Sequence, residues 1–116
     1  MSNKIWNRFA ECRIEAIKRD DRRHHRLGAV AERADGTLVK ACNGPTRLPK
    51  REMHAEYRVT KKIDYDAIIY VARVLNNGKY GMAMPCVNCI KAMTSKRVKK
   101  VYFTIDNRNY GVITLQ

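Results

Sequence analysis

His54-Ala55-Glu56 and Pro85-Cys86-Val87-Asn88-Cys89 are the two short segments on which the prediction of the fold depends. They supply one imidazole, two thiols three positions apart, and a carboxylate two positions after the imidazole. Zinc is bound in proteins by His nitrogen and Cys sulfur, and a catalytic zinc keeps one of its four tetrahedral positions open. The segments therefore predict a catalytic zinc (Zn2+) site, with His54, Cys86 and Cys89 as ligands and the Glu56 carboxylate free.

The spacing within each segment fits the start of a helix. Cys86 and Cys89 share one face of a helix that Pro85 is suited to begin. Positions i and i+2 of a helix point to nearly opposite sides, so His54 and Glu56 converge only if His54 occupies a first, partly non-helical position. Both helices are then predicted to direct their positive N-terminal ends toward the metal, which favours thiolate over thiol.

A structural zinc site is the alternative, and such a site needs four protein ligands. The fourth ligand would come from His24, His25, Cys12 or Cys42, yet none of these has a spacing typical of a zinc finger. A structural site also has no use for Glu56, so the pattern favours catalysis. Cys12 and Cys42 are then predicted to be buried small hydrophobic residues.

Length and composition predict a single globular domain, residues 1–116. Hydrophobic residues make up 45% of the chain, which is ordinary for a globular protein. No apolar run approaches the roughly 20 residues that a membrane span needs, and Met1-Ser2-Asn3-Lys4 is not followed by an apolar secretory segment. We therefore expect a cytoplasmic protein with reduced cysteines and no membrane partner.

The chain is strongly basic, with 24 Lys and Arg against 11 Asp and Glu and a formal charge of +13. Such a charge speeds encounter with phosphate-bearing partners but does not determine the fold. A mononucleotide needs one or two cations near its pocket, whereas a polynucleotide needs a groove of them. Arg47 and Arg51, in the basic loop that leads to His54, are the predicted phosphate ligands. A nucleic-acid partner stays open.

Hydrophobic periodicity predicts helices and strands in alternation. The predicted elements are a helix at 3–20, a hairpin of strands at 27–31 and 38–42, a helix at 54–63, a strand at 67–72, a helix at 86–95, a strand at 100–105 and a candidate fifth strand at 112–115. The apolar side of the first helix comprises Ile5, Trp6, Phe9, Cys12, Ala16 and Ile17. Strands that alternate with helices predict an α/β fold, whose central sheet carries helices on its faces.

Together the two segments resemble the H-A-E…P-C-x-x-C signature of the cytidine/deoxycytidylate deaminase superfamily, the zinc-dependent nucleobase deaminases. The resemblance extends from about Leu27 to Ile105, because a hairpin precedes the His-containing helix and a strand leads to the Cys-containing one. It implies a three-layer α/β/α fold with a central mixed sheet of four to five strands. It also implies a hydrolase that releases ammonia, with Glu56 acting first as base and then as acid.

Substrate-binding residues follow partly from the same resemblance. Asn43 stands where the family commonly has a sugar-binding asparagine, although Asn43-Gly44 is also ordinary turn chemistry. Ala55 lies where the family's backbone approaches the base. Tyr80, in the loop before the cysteines, is a candidate for stacking on the base, and the alternative is an aromatic residue that covers the sheet edge. Met82-Ala83-Met84 departs from the commoner family patterns, so the identity of the base stays open.

Three functions are compatible with the sequence. The first is deamination of a free cytosine nucleotide or nucleoside, such as dCMP, CMP or cytidine. The second is deamination of cytosine or adenine within single-stranded DNA or RNA, and the third is an idle zinc module that binds nucleic acid. Glu56 argues against the third, and the small size of the chain favours the first. An exposed apolar helix face around Trp6 would allow a homo-oligomer.

Overall fold

Helices and strands alternate through the part of the chain that the computed structural model describes, which is residues 3–17, 26–42, 55–63 and 65–116. In chain order these elements are α1 (Asn3–Ile17), β1 (Arg26–Glu32), β2 (Leu38–Cys42), α2 (Ala55–Thr60), β3 (Ile68–Val74), β4 (Tyr80–Gly81), α3 (Val87–Ser95), β5 (Lys100–Thr104) and β6 (Tyr110–Thr114). Apart from β4, the order agrees with the prediction. None of the described helices has both the length and the apolar character needed to span a membrane.

Helix α2 ends earlier than predicted. The amide of Lys61 donates to the carbonyl of Arg58, and the amide of Lys62 donates to the carbonyl of Val59. These i to i−3 bonds tighten the last turn, and tightening of this kind commonly ends an α-helix. The helix therefore stops at Thr60, three residues before the predicted end at Ile63.

The strands form one mixed sheet in the order β2-β1-β3-β5-β6. Strands β3 and β5 are parallel, with Ile68 opposite Lys100 and Val71 opposite Phe103, and the other pairs are antiparallel. The short strand β4 pairs with the end of β3, where Val74 lies opposite Tyr80. With β4 included the described sheet has six strands, so the predicted count of four to five was too low by this two-residue strand.

Alternate side chains of the central strands point to opposite faces of the sheet and form two separate cores. One core joins the sheet to α2 and α3, and its buried residues include Ala29, Ala31, Val71, Val59 and Met93. The other core joins the sheet to α1, and its buried residues are Phe9, Cys12, Val30, Tyr70 and Ala72. The three-layer α/β/α arrangement is therefore confirmed.

Helix α1 lies unusually close to β1 because Gly28 has no side chain. A Cβ atom built on Gly28 would lie 1.9 Å from the carbonyl oxygen of Cys12, a backbone atom of α1. The thiol of Cys12 donates a hydrogen bond to the carbonyl of Tyr70 at 3.2 Å, and complete burial raises the pKa of this thiol far above its usual value. Cys12 is thus the buried small residue that the sequence predicted.

Two residues predicted to be buried are not. Ile17, assigned to the apolar side of the first helix, is 45% exposed, although its neighbour Ala16 is buried. Cys42 is only half-buried, because it is the last residue of β2, which is an outer strand of the described sheet.

Helices α2 and α3 begin at the same edge of the sheet. The chain passes from α2 to β3 through residues 61–67 and from α3 to β5 through residues 96–99. Since β3 and β5 are parallel neighbours, both helices run back along the sheet and start beside the carboxyl ends of these strands. Open α/β sheets usually bind ligands at this edge.

Candidate metal centre

Cys86 is the N-cap of α3. Its backbone is extended (φ −72°, ψ 166°), and its Sγ accepts a hydrogen bond from the amide of Cys89 at 3.4 Å. Its carbonyl accepts the amide of Ile90 at 2.9 Å, and Pro85 precedes the turn as predicted. A backbone N–H at a helix start is a favourable partner for a thiolate, which is the form of cysteine that binds zinc.

The two thiols are close enough to bind one metal ion. Their sulfur atoms lie 3.3 Å apart, and neither cysteine forms a disulfide. Two sulfur ligands of a tetrahedral zinc at about 2.3 Å lie about 3.8 Å from each other, so the pair needs to separate by only about 0.5 Å. Cys86 is exposed and Cys89 is fully buried, so one side of the pair faces solvent and the other faces the core.

The donor set of this pair suits zinc, because thiolate sulfur is a soft ligand. Within the described ranges, no three His, Cys, Asp or Glu side chains form a group that could hold a metal ion. The third predicted ligand, His54, lies outside those ranges, directly before the first residue of α2. The complete ligand set of His54, Cys86 and Cys89 stays a prediction, of which the cysteine pair is the described part.

Helix α2 places the other motif beside α3. Ala55 is the first residue of α2 and is fully buried, and the backbone of Glu56 follows it in the first turn. The side chain of Glu56 lies outside the described part of the structure. Helix α2 packs against α3, and both begin at the carboxyl edge of β3 and β5. The two motifs therefore lie on neighbouring helices.

Arg58 connects α2 to the end of β2. Its guanidinium donates to the carbonyl of Cys42 at 2.8 Å, and the side chain is half-buried. Cys42 directly precedes Asn43, the predicted sugar-binding residue. The hydrogen bond therefore fixes the end of β2 against the helix whose first turn includes the backbone of Glu56. Asn43 itself lies outside the described residues, as do the predicted phosphate ligands Arg47 and Arg51.

Tyr80 packs with the layer formed by α1. Its ring centroid is 5.9 Å from that of Trp6, and the guanidinium of Arg13 lies 5.8 Å from the ring. Burial raises the pKa of Tyr80, and the positive charge of Arg13 lowers it in part. Because α2 and α3 cover the other face of the sheet, this position agrees with the alternative prediction, in which Tyr80 is an aromatic residue that covers the sheet edge. Stacking of Tyr80 on a base stays a prediction.

The residues on either side of Cys86 expose apolar side chains. Met82, Met84 and Val87 are 51%, 57% and 67% exposed, whereas Ala83 and Pro85 between them are buried. Methionine is flexible and polarizable, so it adapts to irregular apolar surfaces. The stretch that departs from the common family pattern therefore forms an accessible apolar surface next to the cysteine pair.

Comparison with known proteins decides the family. The family model described as "Cytidine and deoxycytidylate deaminase zinc-binding region" matches residues 4–105. The chain belongs to this family. The protein is accordingly a zinc-dependent hydrolytic deaminase, and Zn2+ is its cofactor. The cysteine pair at the start of α3 has the chemistry that this assignment requires.

Two solved structures of similar fold are cytidine deaminases. The 1.6 Å crystal structure of cytidine deaminase from Burkholderia pseudomallei matches with a TM-score of 0.69 and 17% identity, over 95% of this chain and 91% of that one. A mutant cytidine deaminase from Mycobacterium tuberculosis gives a TM-score of 0.58 and 19% identity, over 85% and 84% of the two chains. At these identities the likeness concerns the fold. Comparison with curated proteins gave no significant match.

Proposed function

We propose that the protein deaminates a free cytosine nucleotide or nucleoside of the dCMP, CMP or cytidine type, releasing ammonia and the uracil product. The observation that carries the proposal is the paired thiols of Cys86 and Cys89 at the start of α3, beside the helix that bears Glu56. A match with a cytidine deaminase over 95% of this chain and 91% of that one supports a small substrate.

Each motif residue has a distinct role in this proposal. His54, Cys86 and Cys89 hold the zinc, which when bound supplies a Lewis acid that makes water acidic enough to ionise near neutral pH. The Glu56 carboxylate takes one proton from the attacking water and delivers it to the ring nitrogen. It then takes the remaining proton from the hydroxyl added to the ring carbon and delivers it to the departing amino group. Water adds its oxygen to the ring carbon, and the carbon–nitrogen bond to the amino group breaks, so that ammonia leaves.

The substrate-binding residues lie around this centre in the proposal. Asn43 binds the sugar, and the backbone of Ala55 approaches the base. Arg47 and Arg51 bind a phosphate, and they are suited to it because guanidinium groups bind phosphate oxygens in pairs. Tyr80 is the weakest member of the predicted set, since its ring already packs against Trp6.

Deamination of bases within single-stranded DNA or RNA is the second candidate function, and the formal charge of +13 favours it. A non-catalytic zinc-binding domain that binds nucleic acid is a third candidate, but in such a domain the Glu56 carboxylate has no chemical role. A cytoplasmic location is part of the main proposal, because both motif cysteines must stay reduced to bind zinc.

Ammonia release from dCMP, CMP, cytidine and single-stranded oligonucleotides, each measured at two salt concentrations, tests the proposal. We expect turnover of at least one free nucleotide or nucleoside, with little dependence on salt. Turnover of oligonucleotides alone, falling steeply as salt rises, would assign the second function instead. Zinc and oligonucleotide binding without any ammonia release would assign the third. Gel filtration of the same preparation tests whether copies of the chain associate.

A further inference from the structure

Thr104, the last residue of β5, contacts the segment that leads to Cys86. It is fully buried, and its Oγ1 hydroxyl donates to the carbonyl of Gly81 at 2.7 Å. The same oxygen accepts the amide of Arg73 at 3.3 Å, so the side chain bridges β3 and β4. The carbonyl of Thr104 accepts the amide of Ala83 at 2.8 Å. One residue thus holds this segment at two alternate positions.

Little freedom remains between these anchors and the metal ligand. Three peptide bonds separate Ala83 from Cys86, and Pro85 within them has its φ fixed near −65°. Ala83 and Pro85 are buried, so the stretch runs against the core although Met84 between them is exposed. A displacement of Gly81 or Ala83 is therefore transmitted to the Sγ of Cys86.

A metal ligand tolerates little displacement, because distances in a metal site hold to within about 0.2 Å. The cysteine pair lies close to the required separation, with its sulfur atoms 3.3 Å apart. We propose that Thr104 is a positioning residue of the zinc site, which holds the 81–83 segment so that Cys86 meets the metal with only a small movement of its sulfur. The inference rests on the proposed ligand set, in which Cys86 binds zinc.

The hydroxyl is the group that the proposal requires, since it donates and accepts at the same time within a small volume. Valine has nearly the same shape but cannot donate to Gly81, whereas serine keeps both hydrogen bonds. We therefore compare Thr104→Val with Thr104→Ser. Val30→Ala serves as the control for general destabilisation, because Val30 is fully buried on the α1 face of the sheet, away from α2 and α3.

Zinc affinity, measured by competition with a chromophoric chelator, is the main readout. We expect Thr104→Val to bind zinc about tenfold or more weakly, comparable to the loss of a residue that orients a metal ligand. Thr104→Ser and Val30→Ala are expected to keep the affinity of the unmodified protein, the latter despite a lower melting temperature. In Co2+-substituted protein, Thr104→Val should change the thiolate-to-metal absorption band. Unchanged affinity in Thr104→Val, or an equal loss in Val30→Ala, would overturn the proposal.

Hydrogen exchange on the unmodified protein gives a second test that does not depend on the folding of a variant. If Thr104 holds the 81–83 segment before zinc binds, the amide of Ala83 is protected from hydrogen exchange in the metal-free protein as well as in the zinc-bound protein. Exchange of this amide at the rate of an exposed amide in the metal-free protein would contradict the inference. Unaltered zinc binding by Cys86→Ser would instead refute the proposed ligand set, so the two failures are distinguishable.

Discussion

Glu56 is the residue whose chemistry separates a deaminating centre from a zinc site that only supports a fold. It is not needed as a ligand, and its backbone lies in the first turn of α2, next to the helix that begins with Cys86. In the proposed mechanism this carboxylate moves the protons. The mechanism therefore depends on this side chain as well as on the metal.

Glu56→Gln tests that dependence, because the amide keeps the size of the side chain and removes its basicity. Turnover should fall by at least about a hundredfold, the lower end of what a general acid–base group contributes, with zinc content unchanged. Glu11→Gln is a matched control on α1, in the opposite layer, and should retain full turnover. Full activity of Glu56→Gln with zinc bound would show that another group moves the proton.

The shifted pKa of Tyr70 predicts that the protein loses stability at high pH. Burial raises the pKa of Tyr70 from 10.0 to about 12, and the nearby charge of Glu32 adds to the effect. The unfolded chain therefore releases this proton at lower pH than the folded protein does. The contribution of Tyr70 to the free energy of unfolding is consequently complete below pH 10 and is lost as pH rises toward 12. Melting temperatures across this window should fall less steeply for Tyr70→Phe. Tyr65→Phe, at an exposed position, should leave the slope unchanged.

At the scale of secondary-structure elements, Gly28 permits the closest approach found among the glycines that the structure describes, that of α1 to β1. The Cβ of an alanine at position 28 would overlap the carbonyl of Cys12, and both atoms belong to rigid backbone elements. The additional Cβ atom can be accommodated between β1 and α1 only if α1 moves away from the sheet. The aromatic contacts that α1 makes with the sheet, such as that of Phe9 with Tyr70, would move with it.

Gly28→Ala should consequently lower the free energy of unfolding by about 3 kcal/mol, the upper range for overpacking a core. Gly36→Ala provides the comparison, because its Cβ meets no atom within 4 Å but its φ of +89° disfavours alanine. That backbone strain is expected to cost about 1 kcal/mol. Urea unfolding of both variants gives the two values. A cost at position 28 no larger than that at position 36 would mean that α1 is free to shift.

The elements that were predicted correctly carry their signal within a short stretch of sequence. The hairpin has an Asp35-Gly36 turn, and the hydroxyl and amide of Thr37 both donate to the Asp35 carboxylate. The start of α3 follows from Pro85 and the spacing of the cysteines. Strand β4 was missed because two residues are too few to show a periodic pattern. The face of the sheet on which Tyr80 lies could not be predicted for the same reason.

Contacts between distant parts of the chain were not predictable. Arg58 is 16 positions from Cys42, and Thr104 is 23 positions from Gly81, so nothing local in the sequence indicates either hydrogen bond. Both contacts depend on the order of strands in the sheet, which hydrophobic periodicity does not determine. The chemistry of the site was therefore predictable from its motifs, whereas the residues that hold its surroundings in place required the fold.

At the scale of the whole molecule, one described group of positive charges lies far from the cysteine pair. Lys96, Arg97, Lys99 and Lys100 connect α3 to β5 at the amino edge of the strand. Helix α3 has nine residues and is about 14 Å long, so these cations lie roughly one helix length from Cys86. They lie at the opposite end of α3 from the proposed metal site. The net charge of the chain therefore supports a particular substrate less strongly than composition alone suggests, because part of the charge lies away from the proposed site.

Zinc K-edge X-ray absorption on the purified protein measures directly whether the metal has the environment of a catalytic centre. We predict two sulfur ligands at about 2.3 Å and two nitrogen or oxygen ligands at about 2.0–2.2 Å, which are His54 and a water. Cys86→Ser should remove one sulfur from this shell or lose the metal. A shell of three or four sulfur atoms would show a closed structural site, and would contradict assignment of the cysteine pair and His54 to a deaminating zinc centre.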